Sequence, residues 1–383
     1  MERTSIYLDH AASTPLAPGV LEAMLPYWSQ AYGNPSSLHR YGQAARVAVS
    51  RARDEAASRL GVSPAELIYT SGGTESDNLA ILGAADARPK ERRHAVTTAI
   101  EHHAVLHAFR RLEREGVEVT YVRPDSTGQV SPEAIREAVR PDTFLISVMY
   151  GNNEVGTIQP VSEIGEIARS VGALYHVDAV QALGAVPIDL KAIGADFVSF
   201  SAHKIGGPKG VGLLYARRGA ALEPQLWGGL QERGRRAGTE NVPGIVGMTA
   251  ALGLALDNLP ERMAKLEALR SELLARLAEV AGSDGMVVNG HPVDRLPHIL
   301  NVSFPGLSTE TLLMNLDLAG VCAASGSACS SGSLELSHVL RAMDLPEDRM
   351  RSAVRFSVGM SNTLEEMAEA ARRFETFYRK IRK

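Results

Sequence analysis

From about Ala17 to Gly219, short apolar runs alternate with longer amphipathic stretches. Residues 67–70, 95–98, 117–122, 145–149 and 174–177 are rich in Leu, Ile, Val, Thr and Tyr. Runs this short and this continuously apolar predict strands buried on both faces. Between them, segments such as 105–114 and 161–171 carry apolar residues on one helical face. The alternation predicts an α/β fold with a mostly parallel sheet covered by helices on both sides. Ligands of such a sheet gather at the carboxyl ends of its strands. The rhythm then changes. Residues 242–259 are Ala/Leu-rich, Pro260 punctuates, and 261–280 predict one long helix. Beyond them, short strands (298–303, 354–357) mix with helices (309–318, 364–379). We therefore expect a large domain over 15–259 and a smaller α+β domain formed by 260–383 together with 1–14. No internal repeat or low-complexity tract interrupts this order.

Composition narrows the class. The chain has 383 residues, 22% of them charged, and a net charge of −4. That balance argues against a dedicated nucleic-acid surface, and the basic end 379–383 reads as the solvated last turn of a helix. No apolar stretch is long enough to span a bilayer, and the N-terminus lacks the basic-then-apolar layout of a secretory signal. The two cysteines, Cys322 and Cys329, make no disulfide framework and suit a reducing compartment. A cytoplasmic location is expected.

The chemistry concentrates at predicted strand ends. Lys204 follows the run 197–200 and precedes the loop Gly206-Gly207-Pro208-Lys209-Gly210. A lysine held there, desolvated and near other cations, has a lowered pKa and a free amine able to attack an aldehyde. Asp178 ends the run 174–177. Pyridoxal 5'-phosphate requires this pair: an amine for its aldehyde and a carboxylate that keeps its pyridine nitrogen protonated. A buried lysine alone reads as structural; the combination points to the cofactor. Ser71-Gly72-Gly73-Thr74-Glu75-Ser76 follows another strand and opens a helix, where free N–H groups favour a phosphate. By itself that motif is better read as a strand-to-helix turn, and it lacks the Gly-Lys-Ser/Thr of a nucleotide loop. His102, after the run 95–98, can lie flat on a ring or relay protons. His103 and His107 stand four apart with no third ligand nearby, so they read as surface or capping residues. Asn152-Asn153 either reaches a ligand or makes a turn. The segment 325–333 is small, polar and glycine-rich, so a mobile loop with an exposed, reactive Cys329 is expected, with Cys322 in the core.

Taken together, these residues resemble the cysteine desulfurases of the NifS/IscS-like group, in the class V aminotransferase family of fold type I pyridoxal-phosphate enzymes. The similarity runs from Tyr7-Leu8-Asp9-His10-Ala11-Ala12 to Arg355-Phe356-Ser357-Val358-Gly359. It includes Thr70 to Asn78, Glu101-His102, Asn152-Asn153-Glu154, Asp178 with Gln181, Ser201-Ala202-His203-Lys204, and Ser325-Gly326-Ser327-Ala328-Cys329. The resemblance implies an aspartate aminotransferase-like fold and conversion of L-cysteine to L-alanine, with sulfur transferred to Cys329 as a persulfide. It implies that Gly73, Thr74, Ser201 and His203 hold the cofactor phosphate, that His102 stacks on the ring, and that Asn153 and Gln181 flank its phenolic oxygen. Asp178 would pair with the pyridine nitrogen. Arg355, assisted by Asn34, would bind the substrate carboxylate. Thr239 would reach the phosphate of a neighbouring subunit, which implies a homodimer. The expected partner is a sulfur-acceptor protein, an iron–sulfur scaffold or a tRNA-thiolation protein, with no direct nucleic-acid or membrane contact. Several relatives carry a further tail that contacts a scaffold, whereas this chain stops at Lys383, which leaves the acceptor open. The rival readings are an aminotransferase or selenocysteine lyase on the same fold, and a non-catalytic binding platform.

Overall fold

The computed structural model describes residues 5–282, 284–326 and 336–382. After β1 (Ile6–Tyr7), the chain builds its main sheet from β2 (Leu67–Thr70), β3 (His94–Thr98), β4 (Glu118–Val122), β5 (Thr143–Ser147), β6 (Leu174–Asp178), β7 (Phe197–Ser201) and β8 (Gly212–Ala216). Their order is β2-β8-β7-β6-β5-β3-β4. The pairs from β7 across to β4 are all parallel. β8 runs antiparallel to both its neighbours, β2 and β7, and adds a strand to those expected from the pattern. A reversal at Gly210, whose φ is +80°, folds the apolar run 211–216 back along β7; only glycine adopts that conformation without strain. Because β8 lies between them, β2 and β7 point the same way. The carboxyl ends of β2, β3, β5, β6 and β7 therefore share one rim.

The two sheet faces are separated by the strand alternation. Ile146, Tyr175, Val198 and Leu213 pack on one side with apolar residues of helices Arg40–Leu60, Val161–Val171 and Val242–Asp257. Leu145, Phe197, Leu214 and Ile68 face the other way, onto helices Gly73–Ala87 and His103–Arg114. Toward the rim this second face turns polar: Ser147, His176, Ser199 and Asp178 follow at alternate positions beneath helix Gly73–Ala87.

The remaining strands are β9 (Val287–Asn289), β10 (Ile299–Ser303), β11 (Val321–Cys322) and β12 (Ala353–Ser357). β12, β10 and β9 form an antiparallel sheet, and β1 pairs in parallel with β11. A separate core holds Ile6 and Leu8 together with Leu266, Phe304, Phe356 and Phe374. The expected break at Pro260 is corrected. The two long helices part at Asn258, and Pro260 sits in the first turn of Leu259–Ala281, where its missing N–H removes no helical bond. Among the described residues no single helix is long and apolar enough to cross a membrane; Val242–Asp257 and Leu259–Ala281 meet both conditions only as a pair bent by 79°.

Cys322 is also corrected. In the short pairing of β1 with β11, Val321 points inward at 1% exposure and Cys322 is only half-buried. Cys322→Ser should therefore cost less than about 1 kcal/mol, read as a nearly unchanged urea midpoint.

Candidate active site

The strand ends open on one cavity of about 630 Å³, within the size range of small-molecule sites. β2 runs into helix Gly73–Ala87 through a turn that Thr70 and Glu75 brace: Thr70 Oγ1 lies 2.8 Å from Ser76 Oγ, and Ser71 N–H donates to Glu75 Oε2 at 2.8 Å. No side chain caps this helix, so its first N–H groups face the cavity free for an anion. A Cβ on Gly73 would stand 2.8 Å from Val180 Cγ2, so glycine is required for that close approach. Across from it, the buried Ser201 hydroxyl finds no hydrogen-bond partner among the described residues. An orphaned hydroxyl beside an uncapped helix N-terminus is suited to a phosphate.

Lys204 lies in the tight turn Ala202–Lys204 directly after β7. Its Nζ donates to the Ala11 and Ala12 carbonyl oxygens, the latter at 2.9 Å. Burial, then the nearby Arg355 guanidinium, push its pKa down to about 8, so a substantial neutral fraction exists near neutrality. Asp178 ends the neighbouring strand and accepts from Val180 N–H at 2.9 Å. Burial, then the charge of Asp77, raise it to about 7. A cationic ring nitrogen beside it would reverse that shift. His102 caps helix His103–Arg114 by accepting from Ala104 N–H at 3.1 Å. Desolvation, then Lys204, lower its pKa to about 4, so it presents a neutral ring to the cavity. His203 is likewise lowered to about 4, by desolvation first and Lys204 second.

The paired asparagines divide the two roles the sequence left open. Asn152 is buried and builds the turn, donating to Ile100 O at 3.0 Å and accepting from Glu154 N–H at 2.8 Å; Asn153 lines the cavity. Gln181 donates to Ala11 O at 2.9 Å and lies 3.2 Å from His298 Nε2. Arg355 reaches the opposite wall from β12. It donates to Asn153 O at 2.9 Å and pairs with Asp9 at 2.8 Å, while its buried Nε has no partner among the described residues.

Thus Gly73, Thr74, His102, Asn153, Asp178, Gln181, Ser201, His203, Lys204 and Arg355 all line one cavity. Asn34 and Thr239 do not. Both are exposed, and the Asn34 side chain accepts from Ser36 N–H at 2.9 Å in a local turn. Cys329 lies outside the described residues; Ala324, Ser325 and Gly326, which lead toward it, line the cavity. His103 and His107 stack at 5.3 Å between ring centroids, and among the described residues no group of three His, Cys, Asp or Glu side chains could hold a metal. Sequence reasoning gave no role to Asp77, His176, Asp9 or His338. His176 could have been flagged, because it sits two residues before Asp178 and shares its sheet face, and Asp77 because it follows Gly73 by four on one helix; the other two meet the site only through tertiary contacts.

The cradle at Gly73 and Ser201, the lysine of lowered pKa and the strand-end carboxylate fit pyridoxal 5'-phosphate. A mostly parallel α/β sheet carrying these groups on one rim is the fold type I architecture of pyridoxal-phosphate enzymes. The chain belongs to the aminotransferase class-V family, whose model matches residues 6–369. It is 50% identical over 373 residues to the putative cysteine desulfurase IscS 1 of Bacillus subtilis, covering 97% of each chain. With the cysteine desulfurase IscS of Methanosarcina thermophila it shares 48% identity, covering 96% of this chain and 90% of that one. A solved NifS-like protein superposes with a TM-score of 0.93 at 39% identity, covering 98% and 100% of the two chains. SspA, solved in complex with cysteine, gives 0.82 at 36% identity, covering 92% and 99%.

Proposed function

We infer that this protein is a pyridoxal-phosphate-dependent cysteine desulfurase that converts L-cysteine to L-alanine and passes the sulfur to acceptor proteins. The observation that carries the reading is the convergence of Lys204 and Asp178, from adjacent strand ends, on a cavity with an uncapped helix N-terminus at one wall and Arg355 at another. The bound cofactor supplies an aldehyde carbon and an electron-withdrawing pyridinium ring. The chain supplies the rest. Gly73, Thr74, Ser201 and His203 hold the phosphate. Asp178 would keep a proton on the ring nitrogen, Asn153 and Gln181 would hold the phenolic oxygen, and the neutral His102 ring would stack on the cofactor. Arg355, whose buried Nε has no partner among the described residues, takes the substrate carboxylate and so orients the α-carbon. Lys204 Nζ removes the α-proton, which its lowered pKa permits near neutral pH.

Cys329 receives the sulfur. Its thiolate attacks the substrate sulfur, an S–S bond forms, the C–S bond breaks, and the electron pair leaves with the carbon that becomes alanine. The acceptor is an iron–sulfur scaffold or a tRNA-thiolation protein in the cytoplasm. Thr239 and Asn34, exposed and apart from this chain's cavity, are suited to completing the site of a second copy in a homodimer. With the expected division into 15–259 and 1–14 with 260–383, Cys329 and Arg355 would belong to the smaller unit and Lys204 to the larger.

The test is direct: purified protein with L-cysteine should release L-alanine and carry a persulfide detectable by mass spectrometry. Release of pyruvate and ammonia, or a demand for an oxo-acid co-substrate, would overturn the assignment. Asp178→Asn tests the site from another side. It should retain cofactor through the phosphate contacts yet lose about a hundredfold or more in rate, because an amide does not hold the ring nitrogen protonated. Wild-type turnover would remove Asp178 from its role.

A further inference from the structure

Behind Asp178 lies a polar layer that the reaction as described does not use. Asp77, on helix Gly73–Ala87, is 1% exposed and His176, on β6, is 0% exposed. His176 Nδ1 lies 2.8 Å from Ser147 Oγ on β5, and its Nε2 lies 3.0 Å from Ser199 Oγ on β7. Ser199 also interacts with the Asp77 carboxyl, which by itself lowers that carboxyl's pKa against the larger raising effect of burial. Asp77 Oδ1 stands 3.5 Å from His176 Nε2 and has no hydrogen-bond partner among the described residues. Asp77 also lines the cavity and interacts electrostatically with Asp178.

Charge counting makes this arrangement informative. Three carboxyl groups, Asp77, Asp178 and Glu101, all buried, interact with one another here. Ionising all of them against a single ring cation would leave uncompensated buried charge. Glu101 receives Thr98 Oγ1–H and Met149 N–H on Oε1, at 2.5 and 2.9 Å, while its Oε2 is unpartnered, the place for a proton. Asp178 must be the anion if it is to pair with the ring nitrogen. Lys204 is the nearest cation and is occupied with the Ala11 and Ala12 carbonyls. Asp77 has no cation facing it except a protonated His176, and burial holds that imidazole in its neutral form, with a pKa of about 4.

We propose that Asp77 is a positioning residue that stays neutral in the working enzyme, holding a proton beside the His176 ring, so that Asp178 is left as the one anionic carboxylate at the ring-nitrogen end of the cavity. The inference rests on Asp178 as the partner of that nitrogen. Burial raises Asp77 to about 7, which agrees with the geometry. The linkage sign follows. A carboxyl that keeps its proton when folded, but ionises near 4 when unfolded, makes the protein lose stability as pH rises from about 4 to about 7.

Asp77→Asn keeps the shape and neutrality and removes the titration. Holoenzyme carrying it should retain cofactor within about threefold of wild type and leave the cofactor absorbance band unshifted. It should melt several degrees higher than wild type at pH 8, with the gap closing toward pH 5. In infrared difference spectra at pH 5.5, the carbonyl stretch of a neutral carboxylic acid should be present in wild type and lost in the variant. Should Asp77→Asn not fold, His176→Gln should shift that stretch without abolishing it, because the acid's partner network has changed. The proposal is overturned if the stretch does not depend on Asp77, or if Asp77→Asn loses cofactor affinity tenfold or more, as removal of a needed anion would. Failure of the underlying reading looks different: Asp178→Asn would then turn over at the wild-type rate.

Discussion

Lys204→Ala should abolish L-alanine formation from L-cysteine, a loss of at least about 10⁴-fold, since it removes both the covalent anchor for the cofactor aldehyde and the base for the α-proton. Among the described residues no other lysine lines the cavity. Lys209 is close in sequence but exposed, and the reversal at Gly210 sends the chain away from the rim. The variant should still take up cofactor through the Gly73 and Ser201 cradle, but with the absorbance of a free aldehyde in place of a lysine-linked one. Alanine assays and absorbance spectra on the same preparation check both halves. Normal alanine release from the variant would end the assignment.

Cys329→Ser should be as severe, at a different step. Binding of L-cysteine depends on Lys204, Asp178 and Arg355, so the variant should keep its cofactor and its spectral response to substrate. Persulfide should be absent and alanine release should fall at least about a thousandfold, because a hydroxyl is a poor nucleophile toward sulfur at neutral pH. Cys322→Ser is the matched control, with desulfuration retained. Mass spectrometry after incubation with L-cysteine locates the persulfide. A label on Cys322, or normal turnover by Cys329→Ser, would remove Cys329 from its role.

These expectations rest on features of very different legibility. The alternating apolar runs announce the parallel sheet because strands buried on both faces have no polar positions to interrupt them. Lys204 and Asp178 are readable for a related reason: each ends such a run, and in this architecture strand ends meet at one rim. β8 is harder to read, since its place between β2 and β7 depends on the chain reversing at Gly210. Cys322 misleads because a strand of two residues has too little sequence to reveal its inward face. The Asp77–Ser199–His176 layer is written in three distant segments, and only the register of β5, β6 and β7 under helix Gly73–Ala87 brings it together. Asn34 and Thr239 carry no local signal tying them to this cavity. They enter through family resemblance alone.

The pairing of β1 with β11 has a consequence for how the enzyme is made. Ile6 is registered with Val321, Ala11 N–H donates to Ser357 Oγ at 2.8 Å, and Asp9 pairs with Arg355. The same early segment supplies the carbonyls that hold Lys204. A nascent chain can therefore form β2 to β8 while Ile6 and Asp9 still lack their partners in β11 and β12, which leave the ribosome more than three hundred residues later. Contacts so far apart in sequence close slowly. Catalytic competence should thus arise as one of the last events in folding, after the bulk of the helical signal has recovered.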